Sequence, residues 1–309
     1  MNAVRLDFHS TVEPPKEAVL LVNNRSRRGK SAFADAEREL LARGIRLRFS
    51  HGFRSVRELV SMTSEAIQEG VPMVIAGGGD GTFSAIAHLF LHKETVLGVL
   101  PLGTGNSFAR DLNIPNELNL ACDVIARGGV QLVDVGTLDT DCFVNVATIG
   151  LTTEIAQALR VLPKKQMGKF AYAFALARAM QTVHPFRARI ETENGINEFE
   201  TMMIVLGNGR FHAGPFPLSP DASIREGLLS VYALRARDKM AFLRLALRLP
   251  FGTQGDLEEV HAEETEGGTL WTEPVMAVTV DGEICRRTPS KFGVAYRALR
   301  VVVPLGADL

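Results

Sequence analysis

The chain has 309 residues, 46% of them hydrophobic, with 34 Lys and Arg against 35 Asp and Glu for a formal net charge of −1. That length accommodates two domains with substantial cores, and the near-neutral balance gives no global attraction to a polyanion, so nucleic acid or an anionic membrane would have to be met by a local patch. Three cysteines, Cys122, Cys142 and Cys285, without a Cys-x-x-Cys pair, argue against a disulfide framework or a Cys-rich zinc site and fit a reducing cytoplasm.

Residues 1–16 carry Asp7 and Glu13 and lack the apolar stretch of a secretory signal, so they read as a short arm. Apolar, β-prone runs at 19–22, 45–49, 73–76 and 96–100 alternate with helical patterns at 31–42, 55–68 and 83–92. Such alternation predicts βαβ units in a parallel sheet. A helix over 117–127 closes this part. Runs at 130–138 and 142–146 then read as neighbouring strands joined by Asp139-Thr140-Asp141, so the architecture is expected to change near residue 130. Beyond it, a helical section over 153–183 precedes strands at 186–193, 198–206, 228–234, 275–280 and 299–303, a mainly β half of sandwich type. The greasy segment 170–183 contains Arg178 and Gln181 and is too short and too polar for a membrane span, so any membrane contact is peripheral. Glu258, Glu259, Glu263, Glu264 and Glu266 read as a solvated acidic surface. The single Trp271 and three tyrosines offer no stacking series for single-stranded nucleic acid.

Two glycine-rich turns carry the strongest chemical signal. The first, Gly77-Gly78-Gly79-Asp80-Gly81-Thr82, runs from a buried strand into a helix. Glycines let a phosphate approach backbone N–H groups, and the helix adds its positive N-terminal end. Asp80 would repel a bare phosphate, so it either binds the Mg²⁺ that accompanies a nucleotide or acts on a hydroxyl substrate; a plain strand-to-helix turn capped by Asp80 is the simpler alternative. The second turn, Leu102-Gly103-Thr104-Gly105-Asn106-Ser107, follows the next strand and places small polar groups at the edge where open α/β sheets bind ligands. The first βα turn, Asn23 to Ser31, approximates a P-loop but has Asn24 where the first glycine belongs. Its Arg25, Arg27, Arg28 and Lys30 suit phosphate contact or simple solvation. His88 and His92 stand four apart without a third metal ligand.

Together, GGGDGT at 77–82, PLGTGNSFAR at 101–110 and the NNxS…GK turn at 23–30 resemble the diacylglycerol-kinase catalytic domain shared by bacterial lipid kinases, eukaryotic diacylglycerol kinases, and sphingosine and ceramide kinases. Ser219-Pro220-Asp221-Ala222, Glu226-Gly227-Leu228-Leu229 and Val280-Asp281-Gly282-Glu283 resemble the C-terminal motifs of the small bacterial members, extending the likeness over about 17–305. The resemblance implies an α/β nucleotide domain at 17–130, a β-sandwich at 131–298 and a tail at 299–309 that returns to the first domain. It also implies ATP and Mg²⁺ as cofactors and a lipid hydroxyl as acceptor in the cleft. Under it, Asn23, Ser26, Gly78, Gly79, Asp80, Gly81, Thr82, Ser84, Thr104 and Asn106 line the nucleotide, with Asp80 also organising Mg²⁺. Asp281 is the base that accepts the lipid hydroxyl's proton, and Ser223, Glu226 and Leu228 correspond to a structural Mg²⁺ site. Without the resemblance, Asp281-Gly282 is a hairpin turn.

Departures accompany it. Ser84-Ala85 replaces the usual Asn-Glu after the phosphate loop, Glu226 stands where an Asp holds the structural metal, and Asn24 and Arg27 replace the usual Pro and Gly. Residues 234–249 combine Met240, Phe242, Leu243 and Leu245 with Arg235, Arg237, Lys239, Arg244 and Arg248, a pattern for an interfacial helix or for a core helix with snorkelling arginines. The resulting expectation is a lipid kinase with a diacylglycerol-like acceptor, peripheral at the membrane, with no nucleic-acid partner and a homodimer as the suggested assembly. The alternatives are an enzyme resembling NAD kinase or a catalytically weak nucleotide- or membrane-binding regulator.

Overall fold

The computed structural model describes residues 12–24, 27–151, 153–154, 184–210, 222–235, 260–307 and 309, with side chains 27–30 and 284 excepted. The N-terminal arm before residue 12, Arg25, Ser26, the helical section after 154, the motif residues 219–221, Glu258, Glu259 and the stretch 236–249 lie outside the described residues.

The first half alternates β1 (Glu17–Asn23), α1 (Arg27–Ala42), β2 (Arg46–Phe53), α2 (Val56–Gln68), β3 (Met73–Gly78), α3 (Asp80–Phe90) and β4 (Val96–Pro101), followed by α4 (Ser107–Asp111) and α5 (Leu118–Arg127). Its strands run parallel in the order β2-β1-β3-β4. Every residue of β3 and β4 is buried, which is why these segments read as unbroken apolar runs: strands covered on both faces have no polar side to alternate with. The sequence-predicted helices form, with α2 opening on Ser55, whose hydroxyl accepts from Glu58 N–H at 3.1 Å.

The second half contains β5 (Gly129–Leu138), β6 (Asp141–Phe143), β7 (Val146–Gly150), β8 (Phe186–Thr192), β9 (Gly195–Thr201), β10 (Met203–Gly207), β11 (Leu229–Leu234), β12 (Val260–Thr265), β13 (Gly267–Glu273), β14 (Ala277–Val280), β15 (Glu283–Arg287) and β16 (Ser290–Val303). One antiparallel sheet has the order β12-β11-β10-β7-β14-β15. The strand β16 does two jobs. Its first part pairs with β13, and beyond a register shift between Ala295 and Leu299, Val301 lies parallel to Leu97 of β4 while β5 runs antiparallel alongside. The parallel sheet of the first half therefore continues through β16 into β13, β8 and β9. Two cores result: Leu299, Val301, Val302 and Val303 join the core of the first half, while Leu138, Phe143, Ile149, Ile190, Leu206, Val231, Leu270 and Val280 fill the space between the sheets of the second.

Several elements differ from the sequence reading. The 198–206 run is two strands, divided at Met202, where Thr201 Oγ1 donates to Met203 O at 2.8 Å. Glu263 and Glu264 of the acidic stretch belong to β12. The 142–146 run breaks at Val144-Asn145 into β6 and β7. No helix among the described residues is long and apolar enough to cross a membrane.

Leu299 is fully buried against the first core although it lies near the chain's end. Leu299→Ala should therefore lower unfolding free energy by about 2–5 kcal/mol in a denaturant titration; an unchanged midpoint would show that β16 is not integral to the first half.

Candidate active site

The strands β3 and β4 end side by side, Gly78 opposite Pro101, and Leu102 N–H donates to Gly78 O at 2.8 Å. The two glycine-rich turns consequently leave the sheet together. A Cβ on Gly103 would sit 2.5 Å from Gly79 Cα, so the backbones are in contact and neither chain has room for a side chain between them. Thr82 folds back over Gly78, where an added Cβ would lie 2.1 Å from Thr82 Oγ1, and Thr82 N–H donates to Gly79 O at 2.8 Å. Gly81 and Thr104 form the open rim: both are exposed, and a Cβ on Gly81 would meet nothing within 4 Å. The arrangement is a shallow, glycine-walled recess at the positive N-terminus of α3, suited to an anion.

Within it, Asp80 Oδ1 accepts Phe108 N–H at 3.1 Å, and the N–H groups of Asn106 and Ser107 favour its ionised form. Burial nevertheless pushes the carboxyl above the usual range. The other oxygen lies beside Gly105, where an added Cβ would sit 3.0 Å from Oδ2 and no native side chain intrudes. One carboxylate opening onto a phosphate recess fits Mg²⁺, which is commonly held by one or two carboxylates together with substrate phosphates.

Asn106, expected at the nucleotide, has a side chain that ties the second turn together. It is 4% exposed and has φ +53°. Its Oδ1 accepts Gly103 N–H at 3.0 Å, while Nδ2 donates to Gly103 O at 3.2 Å and Asn116 Oδ1 at 2.8 Å. Asn tolerates the left-handed backbone and supplies both donor and acceptor, which glycine cannot. At the first turn, Asn23 ends β1, and Asn24 lies over Gly52, whose added Cβ would fall 1.9 Å from Asn24 Nδ2. That contact leaves no room for a side chain at Gly52.

Asp281 and Gly282 are the two-residue loop between β14 and β15, with φ +45° and +87°. Positive φ at both positions is the geometry that Asp-Gly favours in tight hairpins. The hairpin that Asp281-Gly282 suggests without any resemblance is therefore present. Asp281 Oδ1 accepts N–H from Asn145 at 3.0 Å and Val146 at 2.9 Å, and Oδ2 accepts N–H from Val144 at 3.0 Å. Asp281 N–H returns a bond to Val146 O at 2.8 Å. These bonds close the break between β6 and β7. Ser84, one turn into α3, faces the same carboxylate from the first half. Burial raises the Asp281 carboxyl despite these donors.

Ser223, Glu226 and Leu228, the residues expected at a structural metal, lie in the loop before β11. Ser223 Oγ donates to Leu309 O at 2.5 Å and accepts Arg225 N–H at 3.2 Å, while Glu226 is exposed. No group of three His, Cys, Asp or Glu converges for a metal among the described residues. The His88/His92 spacing also fails as a pair on one helix, since α3 ends at Phe90 and His92 has φ +57°.

Sequence reasoning missed Asp134, Asp111 and Asn208. Asp111 Oδ1 accepts Arg210 N–H at 2.8 Å, joining the two halves. Asn208 Nδ2 donates to Asp134 O at 3.0 Å and Val144 O at 3.2 Å. A lone carboxylate inside the apolar run of β5 was the available signal for Asp134, because a buried charge needs partners.

Comparison with known proteins identifies the family. The diacylglycerol kinase catalytic domain matches residues 17–138, and the YegS C-terminal NAD kinase beta sandwich-like domain matches 145–303. The chain is 30% identical over 301 residues to a "Probable lipid kinase YegS-like" of Enterobacter sp. (strain 638), covering 93% of this chain and 96% of that protein. It is 26% identical to a diacylglycerol kinase of Bacillus subtilis (strain 168), covering 82% and 85% of the two chains. A crystal structure of a diacylglycerol kinase from Bacillus anthracis shares the fold with a TM-score of 0.77 at 22% identity, covering 93% of this chain and 97% of that one. The chain belongs to the YegS and diacylglycerol kinase family of lipid kinases. It is a phosphotransferase by family, with an α/β first half and a β-sandwich-like second half.

The two glycines at 81 and 103 should separate under substitution. Gly103→Ala forces the turns apart and should cost about 1–3 kcal/mol of stability, whereas Gly81→Ala should melt like wild type and weaken nucleotide binding alone. Equal melting temperatures for the two variants would contradict the backbone contact.

Proposed function

We propose that the protein is an ATP- and Mg²⁺-dependent lipid kinase that transfers the γ-phosphoryl group to a lipid hydroxyl, with a diacylglycerol-like acceptor first in order. The observation that carries this reading is the position of α3. Its N-terminal turn borders the glycine recess, and one turn on, Ser84 faces Asp281 from the other half of the molecule. In this reading the nucleotide phosphates and the candidate base stand about one helical turn apart along α3.

In this reading, the N–H groups around Gly79, Gly81 and Thr104 cradle the nucleotide phosphates, and the N-terminus of α3 offsets their charge. Asp80 would hold the Mg²⁺, which when bound neutralises charge on the phosphates. Asp281 orients the acceptor hydroxyl and takes its proton as the hydroxyl oxygen bonds to the γ-phosphorus and the bond to the β-phosphate oxygen breaks, leaving ADP. The three backbone N–H bonds hold that carboxylate rigidly, as a positioned base requires. The name of the Bacillus subtilis relative supports diacylglycerol as acceptor. Peripheral membrane contact through residues 234–249 and a homodimer complete the proposal.

A second reading is favoured by one observation: the C-terminal domain match is described as NAD kinase-like. The two readings part on the acceptor. With γ-labelled ATP, a mixed lipid extract and NAD offered separately, wild type should label a lipid and Asp281→Asn should lose about 10²-fold or more of that rate; labelled NADP without labelled lipid would select the alternative.

The pH dependence carries a sign. A base works only when ionised, and burial raises the Asp281 carboxyl above an ordinary carboxylate, so activity is present above that raised value and is lost as pH falls through it. The acid limb of kcat should therefore lie above about 4, the ordinary Asp value; a limb at or below it would remove Asp281 as the titrating base.

A further inference from the structure

The loop ahead of β11 is where the resemblance puts a structural divalent ion, and here it is tied down by other means. Asp134, 1% exposed in the middle of β5, spends all its polar groups on the surrounding chain. Its N–H donates to Ile224 O at 2.7 Å, Oδ2 accepts Gly227 N–H at 2.7 Å, Oδ1 accepts Arg297 N–H at 2.6 Å, and its carbonyl accepts Asn208 Nδ2 at 3.0 Å. Four segments meet on this one residue: the loop itself, the bend of β16, the end of β10 and β5.

A carboxylate so buried needs compensating charge. Burial pushes the Asp134 carboxyl up; the N–H groups of Arg297 and Gly227 and then the charges of Arg297 and Arg225 pull the other way, toward the ionised form. Arg297 is held over the Tyr296 ring at 5.0 Å, and the same ring packs beneath Gly227, where an added Cβ would lie 3.0 Å from Tyr296 Cδ2. Gly227 itself has φ +76°, a conformation suited to glycine. Two of the three residues expected to bind metal are engaged or turned out: the Ser223 hydroxyl is bonded on both sides, and Glu226 is exposed.

We propose that the second half of this chain is braced without a divalent ion, with Asp134 and the cationic pair Arg225 and Arg297 holding the loop that a metal would otherwise hold. The inference goes beyond the kinase reading and does not depend on it.

Thermal unfolding of nucleotide-free protein tests it, in an Asp80→Asn background so that the phosphate recess contributes no metal effect. Melting temperatures in EDTA and in millimolar Mg²⁺ should agree within about 1 °C, since an ion that does not bind the folded state cannot stabilise it. In the same background Arg225→Gln, which removes one compensating charge while leaving the hydrogen bonds of Asp134, should lower the melting temperature by several degrees, and Asp134→Asn by more or to the point of not folding. Two results overturn the proposal: a Mg²⁺-dependent rise in melting temperature that Glu226→Gln abolishes, or an Arg225→Gln protein that melts unchanged.

Discussion

Gly79 and Gly103 approach so closely that a side chain on Gly103 would run into the facing backbone, and this contact is the point on which the site is built. It follows from the parallel sheet. Neighbouring strands β3 and β4 end in register, so the turns that leave them emerge side by side at the edge where α/β folds bind ligands. With the turns in contact, Asp80 reaches across to Phe108 N–H and becomes part of the second turn as well as the first. Asn106 then fixes the second turn from within. The recess is thereby formed before any ligand arrives, which lowers the ordering cost of binding.

The second half is joined to this recess by polar groups as well as by packing. Asp281 stitches the break between β6 and β7 and faces Ser84, Asp111 receives Arg210 N–H, and Asp134 gathers the loop before β11. Each is a carboxylate used mainly by backbone N–H donors. Such bonds are directional and cost much to break when buried, so they define the relative placement of segments more sharply than apolar contact does. For Asp281 this has a chemical consequence. The donors hold the carboxylate in one orientation, and burial moves its protonation toward the range in which a base is useful.

Much of this was legible in the sequence, and what was not has identifiable reasons. The alternation of β1 to β4 with α1 to α3 could be read because doubly covered strands are continuous apolar runs and their helices are amphipathic. The two glycine turns stood out because several glycines beside an acid have few structural explanations. The strand β16 was seen only from residue 299. Its earlier part, Ser290 to Arg297, carries Lys291, Gly293 and Tyr296 and has no run of apolar residues, because it is covered only in part. The continuous sheet was hidden for the same reason: long-range pairing of β16 with β4 leaves no local pattern. The partners of Asn106 and Ser223 were not legible, because they include residues further along the chain, Asn116 for one and Leu309 for the other. Asp134 stood as a single acid in an apolar strand, and its partners at 224, 227 and 297 lie far along the chain.

The central claim is that the two touching turns are one phosphate site, with Asp281 held ready beside it. Amide hydrogen exchange with and without a non-hydrolysable ATP analogue and Mg²⁺ reads both parts at once. The account predicts new protection in both turns, 79–82 and 103–107, on adding the nucleotide, with Val144, Asn145 and Val146 already protected before it is added because Asp281 accepts their N–H groups. Protection confined to one turn, or fast exchange at 144–146 in the free protein, would contradict it.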